Sequence, residues 1–453
     1  MIDHLRADVR YTIKWLLRSP VFTAVAIASL GLGIGINTAL FSVVDALLLR
    51  PLPVERADRL VDVYTRGVDG DTYATSSYPD FLDFQAQNQV FEGILGFSPA
   101  LGAIRASDQS RMAIGEVVTG NYFQLLGVRA AIGRTILPED DRAGAPRVMM
   151  IAHRVWMKTF GGDPGVIGRP MRMRGQVYTI VGVTPERFTG MVPMLQPEMW
   201  VPLAWVEEIE PAGIQDSVPS PTGNTRLERR GQRWMFIRGR LKDGETATTA
   251  AANLQVIMRQ LAAAHKATND RRTVSVVANV RLHPQADKAL RPVAAALMLG
   301  VGLVLLVACA NVTNMLLARA SSRQREIGIR LAIGATRGRL VRQLLTESVV
   351  LALAGAAAGT ALAALLVRLI QSLPTPIPIP VELALRIDGR VLLFTITVAT
   401  IAGLIAGLAP ALRATRTNLM SELKGESLSL GSRFVHRGVH VSTRGPIGIC
   451  SQE

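Results

Sequence analysis

Residues 292–318 read PVAAALMLGVGLVLLVACANVTNMLLA and contain no charged side chain. A helix rises about 1.5 Å per residue, so about 20 apolar residues cross a hydrocarbon core roughly 30 Å thick. Three further runs reach that length: 21–49, in which Asp45 is the one charged residue, 348–367 and 391–412. The sequence therefore predicts an α-helical transmembrane protein with four spans.

Two other interpretations of these runs stay open at this point. Buried helices of soluble proteins are also apolar, but they are usually shorter and keep a polar stripe. The first run follows Lys14 and Arg18 and also resembles a secretory signal, with a loose cleavage site between Val44 and Ala46. Its apolar stretch is longer than the core of about 7–15 residues found in signals, which favours an uncleaved anchor.

The basic residues indicate how the spans are oriented. The chain has 453 residues and a net charge of +15, and seven arginines against one acid lie in 319–342, between two apolar runs. Residues 1–20 are also basic, whereas 371–390 balances two arginines with two acids. Because Lys and Arg concentrate in cytoplasmic loops, we expect both termini and 319–342 inside, and 50–291 outside. Orientation in a membrane explains this charge better than a nucleic-acid partner does.

Residues 50–291 have the pattern of a folded domain rather than of a linker. Residues 77–91 predict a helix that starts at Ser77, with Pro79 in its first turn, and 246–265 predict an amphipathic helix. Runs rich in β-branched residues predict strands at 59–65, 111–118, 147–152, 176–183, 233–241 and 272–280. Strands mixed irregularly with helices are typical of an α+β domain. The stretch 211–231, which contains Pro and Gly, is expected to be a flexible surface insertion.

The charged loop contains a short apolar pattern of its own. Residues 324–333, QREIGIRLAI, predict a helix that Gly334 ends, with Ile327 and Leu331 on one face. One interpretation is a solvated basic hairpin that only fixes topology. A solvated loop, however, does not require four closely spaced apolar side chains, which here are Ile327, Ile329, Leu331 and Ile333. Such side chains favour burial against a partner, and a cytoplasmic protein is one candidate.

Several stretches resemble one known family. Residues 325–348, REIGIRLAIGATRGRLVRQLLTES, resemble the signature loop of the FtsX-like permease domain of the MacB-type superfamily of ABC transporter permeases. Residues 8–53 are similar to the opening of the large duplicated permeases of this superfamily. Three stretches of the outer segment resemble the MacB-like periplasmic core domain: SYPDFLDFQAQNQVFEG (77–93), VTGNYFQLLGVRAAIGRTILPEDD (118–141) and VIGRPMRMRGQVYTIVGVTPERF (166–188). The resemblance covers roughly residues 5–424.

The resemblance implies a membrane permease subunit in the bacterial cytoplasmic (inner) membrane, with its large domain in the periplasm. ATP would be bound by a separate cytoplasmic ABC ATPase, so no cofactor is expected on this chain. The family also implies a homodimer, or a pseudo-dimer with a second permease unit, and a periplasmic partner. The first cytoplasmic loop after the outer domain would couple to the ATPase through Arg325, Glu326, Ile327, Gly328, Arg330, Leu331 and Gly334.

The expected organisation divides the chain at the ends of the apolar runs. Its parts are a cytoplasmic segment (1–20), the first span (21–49), the periplasmic domain (50–291), the second span (292–318), the coupling loop (319–347), the third span (348–370), a short external loop (371–390), the fourth span (391–412) and a tail of uncertain structure (425–453). The FtsX-like permease domain would cover 292–424. One permease unit is present where the duplicated relatives carry two, so the chain is either a natural single unit or a truncated half.

No catalytic site is predicted. The sequence has no Walker A loop, no His-Glu-x-x-His pair and no Gly-x-Ser-x-Gly elbow, and neither a metal site nor a disulfide framework is expected. Asp45 could be a functional charge within the membrane, but its place near Arg50 favours snorkelling toward water. Asn311, Thr313 and Asn314 are expected to bond between helices or to cap the second span. Small residues four apart predict close helix packing at Gly31 and Gly35, Gly355 and Gly359, and Gly403 and Gly407.

The leading hypothesis is a permease that transmits mechanical work from ATP hydrolysis to its outer domain. The spans are rich in Ala, Gly and Leu, and they offer little lining for a polar substrate. Two alternatives stay open: a membrane scaffold or regulator that binds a periplasmic partner without transport, and a fragment of a duplicated permease.

Overall fold

The computed structural model describes residues 10–14, 16–67, 72–105, 110–192, 196–209, 216–217, 225–278, 281–322, 329, 336–372 and 388–415. These residues form two compact units. One is formed by the described residues within Met1–Ile36, Gly302–Leu362 and Leu393–Glu453, and the other by those within Asn37–Val301 and Ala363–Leu392. Most of the predicted insertion 211–231, most of the external loop 371–390 and the whole tail 425–453 lie outside the described residues.

Four helices of the described residues are long and apolar enough to cross a membrane. The second begins earlier than the predicted span and continues through Pro292, which removes the hydrogen bond to the carbonyl of Lys288 but does not end the helix. A π-helical turn, Asp45–Leu49, follows the first. The four helices are α1 (Pro20–Val44), α7 (Pro284–Ser322), α8 (Arg337–Ser372) and α9 (Gly389–Thr415).

Small side chains dominate the core of the first unit. Half of the residues in its hydrophobic cluster are alanines, and these come from α1, α8 and α9. Lipid chains are as apolar as leucine, so helices in a bilayer associate through close van der Waals packing and polar contacts rather than through the hydrophobic effect. Alanine suits such packing because it lets helix backbones approach. The core residues are Leu16, Ala26, Leu30, Ile34, Cys309, Val312, Leu351, Ala352, Ala356, Ala399, Ala402 and Ala406.

The second unit contains a ten-stranded sheet. Its main path runs β12-β1-β11-β2-β3-β8-β5-β7-β4, and β6 pairs with both β2 and β7. Strands β2, β3, β8, β5, β7 and β6 therefore close into a ring, which leaves the ladder β2-β11-β1-β12 as an open extension. The strands on these paths are β1 (Leu60–Arg66), β2 (Phe91–Arg105), β3 (Ser110–Val118), β4 (Ile132–Gly133), β5 (Val148–Ile151), β6 (Pro170–Met173), β7 (Gln176–Val183), β8 (Met199–Pro202), β11 (Phe236–Leu241) and β12 (Thr273–Ala278).

Short helices and one further strand pair complete this unit. Strands β9 (Asp216–Ser217) and β10 (Gln232–Arg233) pair with each other. The predicted strand 233–241 is therefore interrupted: Trp234 and Met235 separate β10 from β11, and Met235 forms a bridge to Ser76. The helices are α2 (Tyr78–Gln87), α3 (Tyr122–Leu126), α4 (His153–Phe160), α5 (Ala247–Ala264) and α6 (Lys266–Asn269).

The start of α2 agrees with the prediction, but its end does not. Ser77 caps the helix by accepting from the backbone N–H of Asp80. The predicted helix to residue 91 is wrong beyond Gln87 because the Asn88 side chain bonds to the carbonyls of Phe84 and Gln85, at 2.8 and 3.0 Å. Asparagine that bonds to nearby backbone in this way competes with continued helix.

Helix α5 has the predicted amphipathic face. Leu254, Ile257, Met258 and Leu261 are all buried. Thr246 and Thr249 exchange hydrogen bonds in a capping box that satisfies free N–H groups of the first turn. The helix packs on β12 and against α2. The predicted fold class, four apolar helices with a mixed helix–strand domain between the first and second, is confirmed.

Candidate functional site

The predicted coupling residues lie outside the described part of the chain. This holds for Arg325, Glu326, Ile327, Gly328, Arg330, Leu331 and Gly334. On either side of them, α7 ends at Ser322 and α8 begins at Arg337. Ile329, within this segment, is helical and 54% exposed. Coupling through this segment is taken up as a proposal below.

Helices α1 and α8 cross with their backbones in contact. A Cβ atom on Gly35 would lie 2.9 Å from the carbonyl oxygen of Gly359, and one on Gly359 would lie 2.6 Å from that of Gly31. A Cβ atom on Gly355 would lie 2.8 Å from the Cβ of Leu30. Any side chain at these positions would force the helices apart, so glycine is what allows this approach.

A second close crossing joins α8 to α9. A Cβ atom on Gly403 would lie 2.9 Å from the Cα of Val349. One on Gly407 would lie 2.5 Å from the hydroxyl oxygen of Ser348. Helix α8 therefore meets α1 and α9 on separate sets of residues.

Helix α7 reaches its neighbours through polar side chains as well as small ones. The Thr313 hydroxyl lies 2.7 Å from the carbonyl oxygen of Cys309 in its own helix and 3.1 Å from that of Ala406 in α9. The Cys309 thiol lies 3.8 Å from the carbonyl oxygen of Ala402. Thr313 thus makes the expected bond between helices, whereas the side chains of Asn311 and Asn314 are exposed.

The end of α7 is also held to the start of α1. The Arg319 guanidinium lies 4.4 Å from the centre of the Phe22 ring, and it donates to the hydroxyl of Ser19. A cation over an aromatic face is a favourable contact, and more so when it is partly shielded from water. Sequence reasoning counted Arg319 as one positive charge among seven. The only hint of a contact in the sequence is Phe22, an aromatic residue near the start of the first apolar run.

A buried acid in α8 was missed by the search for charges within the apolar runs. Glu347 is 5% exposed, and its carboxylate accepts a hydrogen bond of 3.4 Å from Gln343. Glu347 directly precedes the apolar run that starts at Ser348, so a search for charged residues within that run does not include it. Intramembrane acids are costly and usually face other protein groups.

Asp45 does not snorkel toward water, contrary to the sequence-based expectation. It is 1% exposed, and its Oδ2 accepts from Nε and Nη2 of Arg50, both at 3.2 Å. Arg50 Nη2 also lies 3.0 Å from Oδ2 of Asp388. Asp388 in turn caps α9, because its Oδ1 accepts from the backbone N–H groups of Arg390 and Val391. The physical reason is that Arg50, the partner of Asp45, is itself bound by Asp388, more than 300 residues away, which local sequence does not indicate.

The sheet-containing unit has a cavity that was not predicted from the sequence. It has a volume of about 320 Å³ and lies between the start of α4 and the segment that precedes β8. Its lining includes His153, Arg154, Lys158, Glu186 and Phe188. Within the described residues, no group of three or more His, Cys, Asp and Glu side chains is placed to hold a metal ion. The contacts of this cavity do not define a reaction.

Two domain families match the chain. Residues 23–257, more than half of the chain, match the MacB-like periplasmic core domain. Residues 298–419 match the FtsX-like permease C-terminal domain. Residues 258–297, which include the start of α7, lie between the two matches.

Known export proteins are similar to the chain over part of their length. The macrolide export ATP-binding/permease protein MacB of Burkholderia cenocepacia is 28% identical over 244 residues, which are 52% of this chain and 31% of that protein. A probable export ATP-binding/permease protein of Pseudomonas fluorescens is 24% identical over 299 residues, 65% of this chain and 42% of that protein. The chain thus spans about a third of the length of the MacB relatives.

One solved structure is similar at the level of the outer domain. The periplasmic region of MacB from Actinobacillus actinomycetemcomitans aligns with 11% identity and a TM-score of 0.35, over 51% of this chain and 92% of that one. At this TM-score the alignment adds nothing to the assignment by sequence.

Proposed function

Because the chain belongs to the MacB/FtsX-like family of ABC transporter permeases, we propose that it is the membrane subunit through which a separate ATPase moves a periplasmic domain. The predicted family is confirmed, and the chain is a membrane protein with a periplasmic domain. The family is a permease component of transporters rather than a class of enzyme. The bacterial inner membrane, a homodimer or pseudo-dimer with a second permease unit, and a periplasmic partner are parts of the proposal.

The observation that carries the proposal is the backbone contact between α1 and α8. Helix α8 begins at Arg337, directly after the predicted coupling segment, and meets α1 at Gly355 and Gly359. Helix α1 continues through Asp45–Leu49 into the periplasmic domain. Helices that touch through their backbones cannot slide freely, since carbonyl oxygens interlock with the opposing chain. A push on the start of α8 therefore tilts α1 with it.

The mechanism follows from these contacts between successive helices. The ATPase binds the helix predicted over 324–333, with Ile327 and Leu331 buried against it and Arg325 and Arg330 paired with its acids. Closure of the ATPase on ATP displaces the start of α8. The glycine crossing carries the displacement to α1, and α1 carries it to the sheet-containing domain. The work is export or extraction of a substrate handled outside the membrane.

The composition of the helices favours movement of the domain over a polar pore. Among the described residues of α1, α7, α8 and α9, the buried side chains are almost all apolar or small. Most of the polar ones that are buried, such as Thr395, Ser348 and Thr38, are short, and one charged side chain, Glu347 of α8, is buried among them. A wide aqueous path for a charged substrate needs a lining of polar or charged groups.

Charge reversal in the coupling segment tests the proposal. The double variant Arg325→Glu/Arg330→Glu and the single variant Ile327→Asp are each expected to lose co-purification with the ATPase by about tenfold or more, since each change leaves an unpaired or repelling charge at the contact. Arg259→Glu is the matched control, because it reverses an exposed charge on α5, in the periplasmic domain. Unchanged co-purification of the coupling variants would contradict the docking role.

The same preparation separates transport from scaffolding. A permease should stimulate ATP hydrolysis in its partner and move substrate in an ATP-dependent manner after reconstitution. A scaffold would retain the periplasmic partner but show neither effect.

A further inference from the structure

An apolar groove runs along the first half of α8, within the first unit. It has a volume of about 480 Å³, inside the range of roughly 300–1,000 Å³ that is usual for sites that hold small molecules. Most of its lining comes from positions three and four apart on α8, which share one face of the helix. Its aliphatic residues include Leu345, Val349, Val350 and Leu353 of α8 and Leu404 of α9.

One end of the groove lies at the depth of the hydrocarbon. Val349, Val350 and Leu353 belong to the apolar run that starts at Ser348, and the side chains of Leu353 and Leu404 are exposed. No water is present at this depth to cover such a surface. The cover is therefore either a lipid chain or a second apolar helix.

The other end of the groove carries positive charge. Arg342 lines it, and Arg337 and Arg339 are exposed on the same first turns of α8. Because the periplasmic domain precedes α7, this end of α8 faces the cytoplasm. Arg342 lies six residues, about 9 Å, before Ser348, and the headgroup layer on each side of a bilayer is about 5–8 Å thick. The guanidinium of so long a side chain is within reach of lipid phosphates.

Charge decides between the two possible covers. A second copy of this chain would bring the same basic segments to the contact, since 319–342 carries seven arginines and one acid, and 1–20 carries four basic residues and two acids. Like charges brought together across an interface repel. A phospholipid with a negative headgroup brings the opposite charge and an acyl chain in one molecule. The cytoplasmic leaflet contains such lipids, and basic pockets between helices on that side bind their headgroups.

We propose that this groove binds one anionic phospholipid of the cytoplasmic leaflet. Arg342 holds its phosphate, together with Arg339, which lies three residues away on the same side of the helix. One acyl chain lies along Val349, Leu353 and Leu404. The lipid thereby holds the start of α8 at the depth of the headgroups. This site goes beyond the proposed function and does not depend on the ATPase.

Native mass spectrometry of the full chain, without any ATPase, tests the headgroup contact. The probes are phosphatidylglycerol and phosphatidylcholine with the same acyl chains. The wild type should retain phosphatidylglycerol in preference, and Arg339→Gln/Arg342→Gln should bind it about tenfold more weakly, because two attractive charges are lost. Arg368→Gln is the matched control, since it removes an exposed arginine near the other end of α8, and it should keep the preference. Equal retention of the two lipids by the wild type would overturn the proposal.

Filling the groove tests the acyl-chain contact. Leu353→Trp and Leu404→Trp each place a larger side chain in the groove, from different helices, so one variant remains informative if the other fails to fold. Each should weaken the binding of phosphatidylglycerol about as much as the loss of the two arginines. Leu365→Trp is the matched control, because Leu365 is an exposed residue of α8 outside the groove, and it should bind like the wild type.

Two other results would also overturn the proposal. If the arginine variant loses the lipid but both groove-filling variants keep it, the arginines attract headgroups as surface charges and the groove is not the site. If the groove-filling variants change the measured mass from two copies to one and still bind the lipid, a second copy occupies the groove. Because the ATPase is absent, failure here leaves the docking proposal standing, and failure of docking leaves the lipid site standing.

Discussion

At the scale of single residues, four glycines decide how α1 and α8 meet. Gly31, Gly35, Gly355 and Gly359 let carbonyl oxygens and Cα atoms of opposite helices approach to ordinary contact distance. A side chain at these positions has no space that a rotamer change could free, because the nearest obstacles are backbone atoms and, at Gly355, the Cβ of Leu30. By contrast, a Cβ atom on Gly302 of α7 would meet nothing within 4 Å. The two kinds of glycine give a matched pair for experiment.

Gly359→Leu is expected to separate α1 from α8. The new side chain collides with Gly31 and Gly35, and overpacking of this kind costs roughly 1–3 kcal/mol or more. We expect a lower Tm in detergent or nanodiscs, together with a loss of coupling between ATP hydrolysis and substrate movement. Gly302→Leu should change neither property, because its side chain enters open space. Equal losses from both variants would show that the helix, rather than the crossing, is sensitive.

A second residue-scale feature is a buried acid in the periplasmic domain. Both carboxylate oxygens of Asp141 accept backbone N–H groups, from Gly120 at 2.9 Å and from Ala204 at 2.7 Å. Burial nevertheless raises the pKa of Asp141 to about 6. In the folded chain this carboxyl therefore holds its proton at pH values where it has already ionised in the unfolded chain.

The sign of the pH effect follows from that difference. Between about pH 4 and pH 6 the folded state binds more protons at Asp141 than the unfolded state, so this group's contribution to stability falls as pH rises through that range. The fall is about 3 kcal/mol, and the contribution is constant above pH 6. Asp141→Asn should remove this slope from the stability profile of the whole chain. The exposed Asp270→Asn should leave it in place, and a wild-type slope in Asp141→Asn would rule out Asp141 as its source.

At the scale of elements, α7 is the least buried of the four long helices. In its most apolar stretch of 18 residues only 11% are buried, against 33–39% in the same stretch of the other three helices. Polar contacts therefore account for more of its attachment than for that of α8, which packs on both sides through glycines. Thr313 makes the contact with the clearest geometry, since its hydroxyl reaches the Ala406 carbonyl at 3.1 Å.

Thr313→Val is expected to weaken the pairing of α7 with α9. The change keeps the shape of the side chain and removes one hydrogen bond between helices, which is worth about 0.5–1.5 kcal/mol in a membrane protein. Thr400→Val is the matched control, because its exposed hydroxyl donates to the carbonyl of Ile396, 2.7 Å away in the same helix. Thermal unfolding in nanodiscs should rank Thr313→Val below Thr400→Val; the reverse order would show that the Ala406 bond contributes nothing.

The elements differ in how far sequence predicts them, and the difference has a physical basis. Residues 176–183 are rich in β-branched residues, and β7 has those same bounds. The amphipathic face of α5 follows from spacing alone. Strand β2, the longest at 15 residues, was not predicted. Its sequence, FEGILGFSPALGAIR, contains three glycines and a proline, which disfavour strands locally. Pairing with β11, β3 and β6 overrides that local preference.

At the scale of the whole molecule, the candidate site also contains some residues that the sequence predicts and others that it does not. The glycine spacing in α1, α8 and α9 is visible in each run alone, so sequence can nominate those positions. The arginine-rich segment is visible as charge and was recognised by family resemblance. The bond between Arg50 and Asp388 is not visible, because these two residues are distant in sequence and meet only in the folded chain. Local rules place an acid near a helix end in water, whereas here an ion pair satisfies it inside the protein.

The central claim is that work done at the cytoplasmic end of α8 reaches the periplasmic domain through the α1–α8 crossing. The most direct measurement is the distance between spin labels at Val256 on α5 and Leu392 on α9, both exposed. It is taken in nanodiscs with the ATPase bound, with and without a trapped ATP state.

We predict that trapping ATP shifts this distance in the wild type and in Gly302→Leu, but not in Gly359→Leu, although all three retain the ATPase. A distance that does not respond to ATP in the wild type, or that responds equally in Gly359→Leu, would contradict the account.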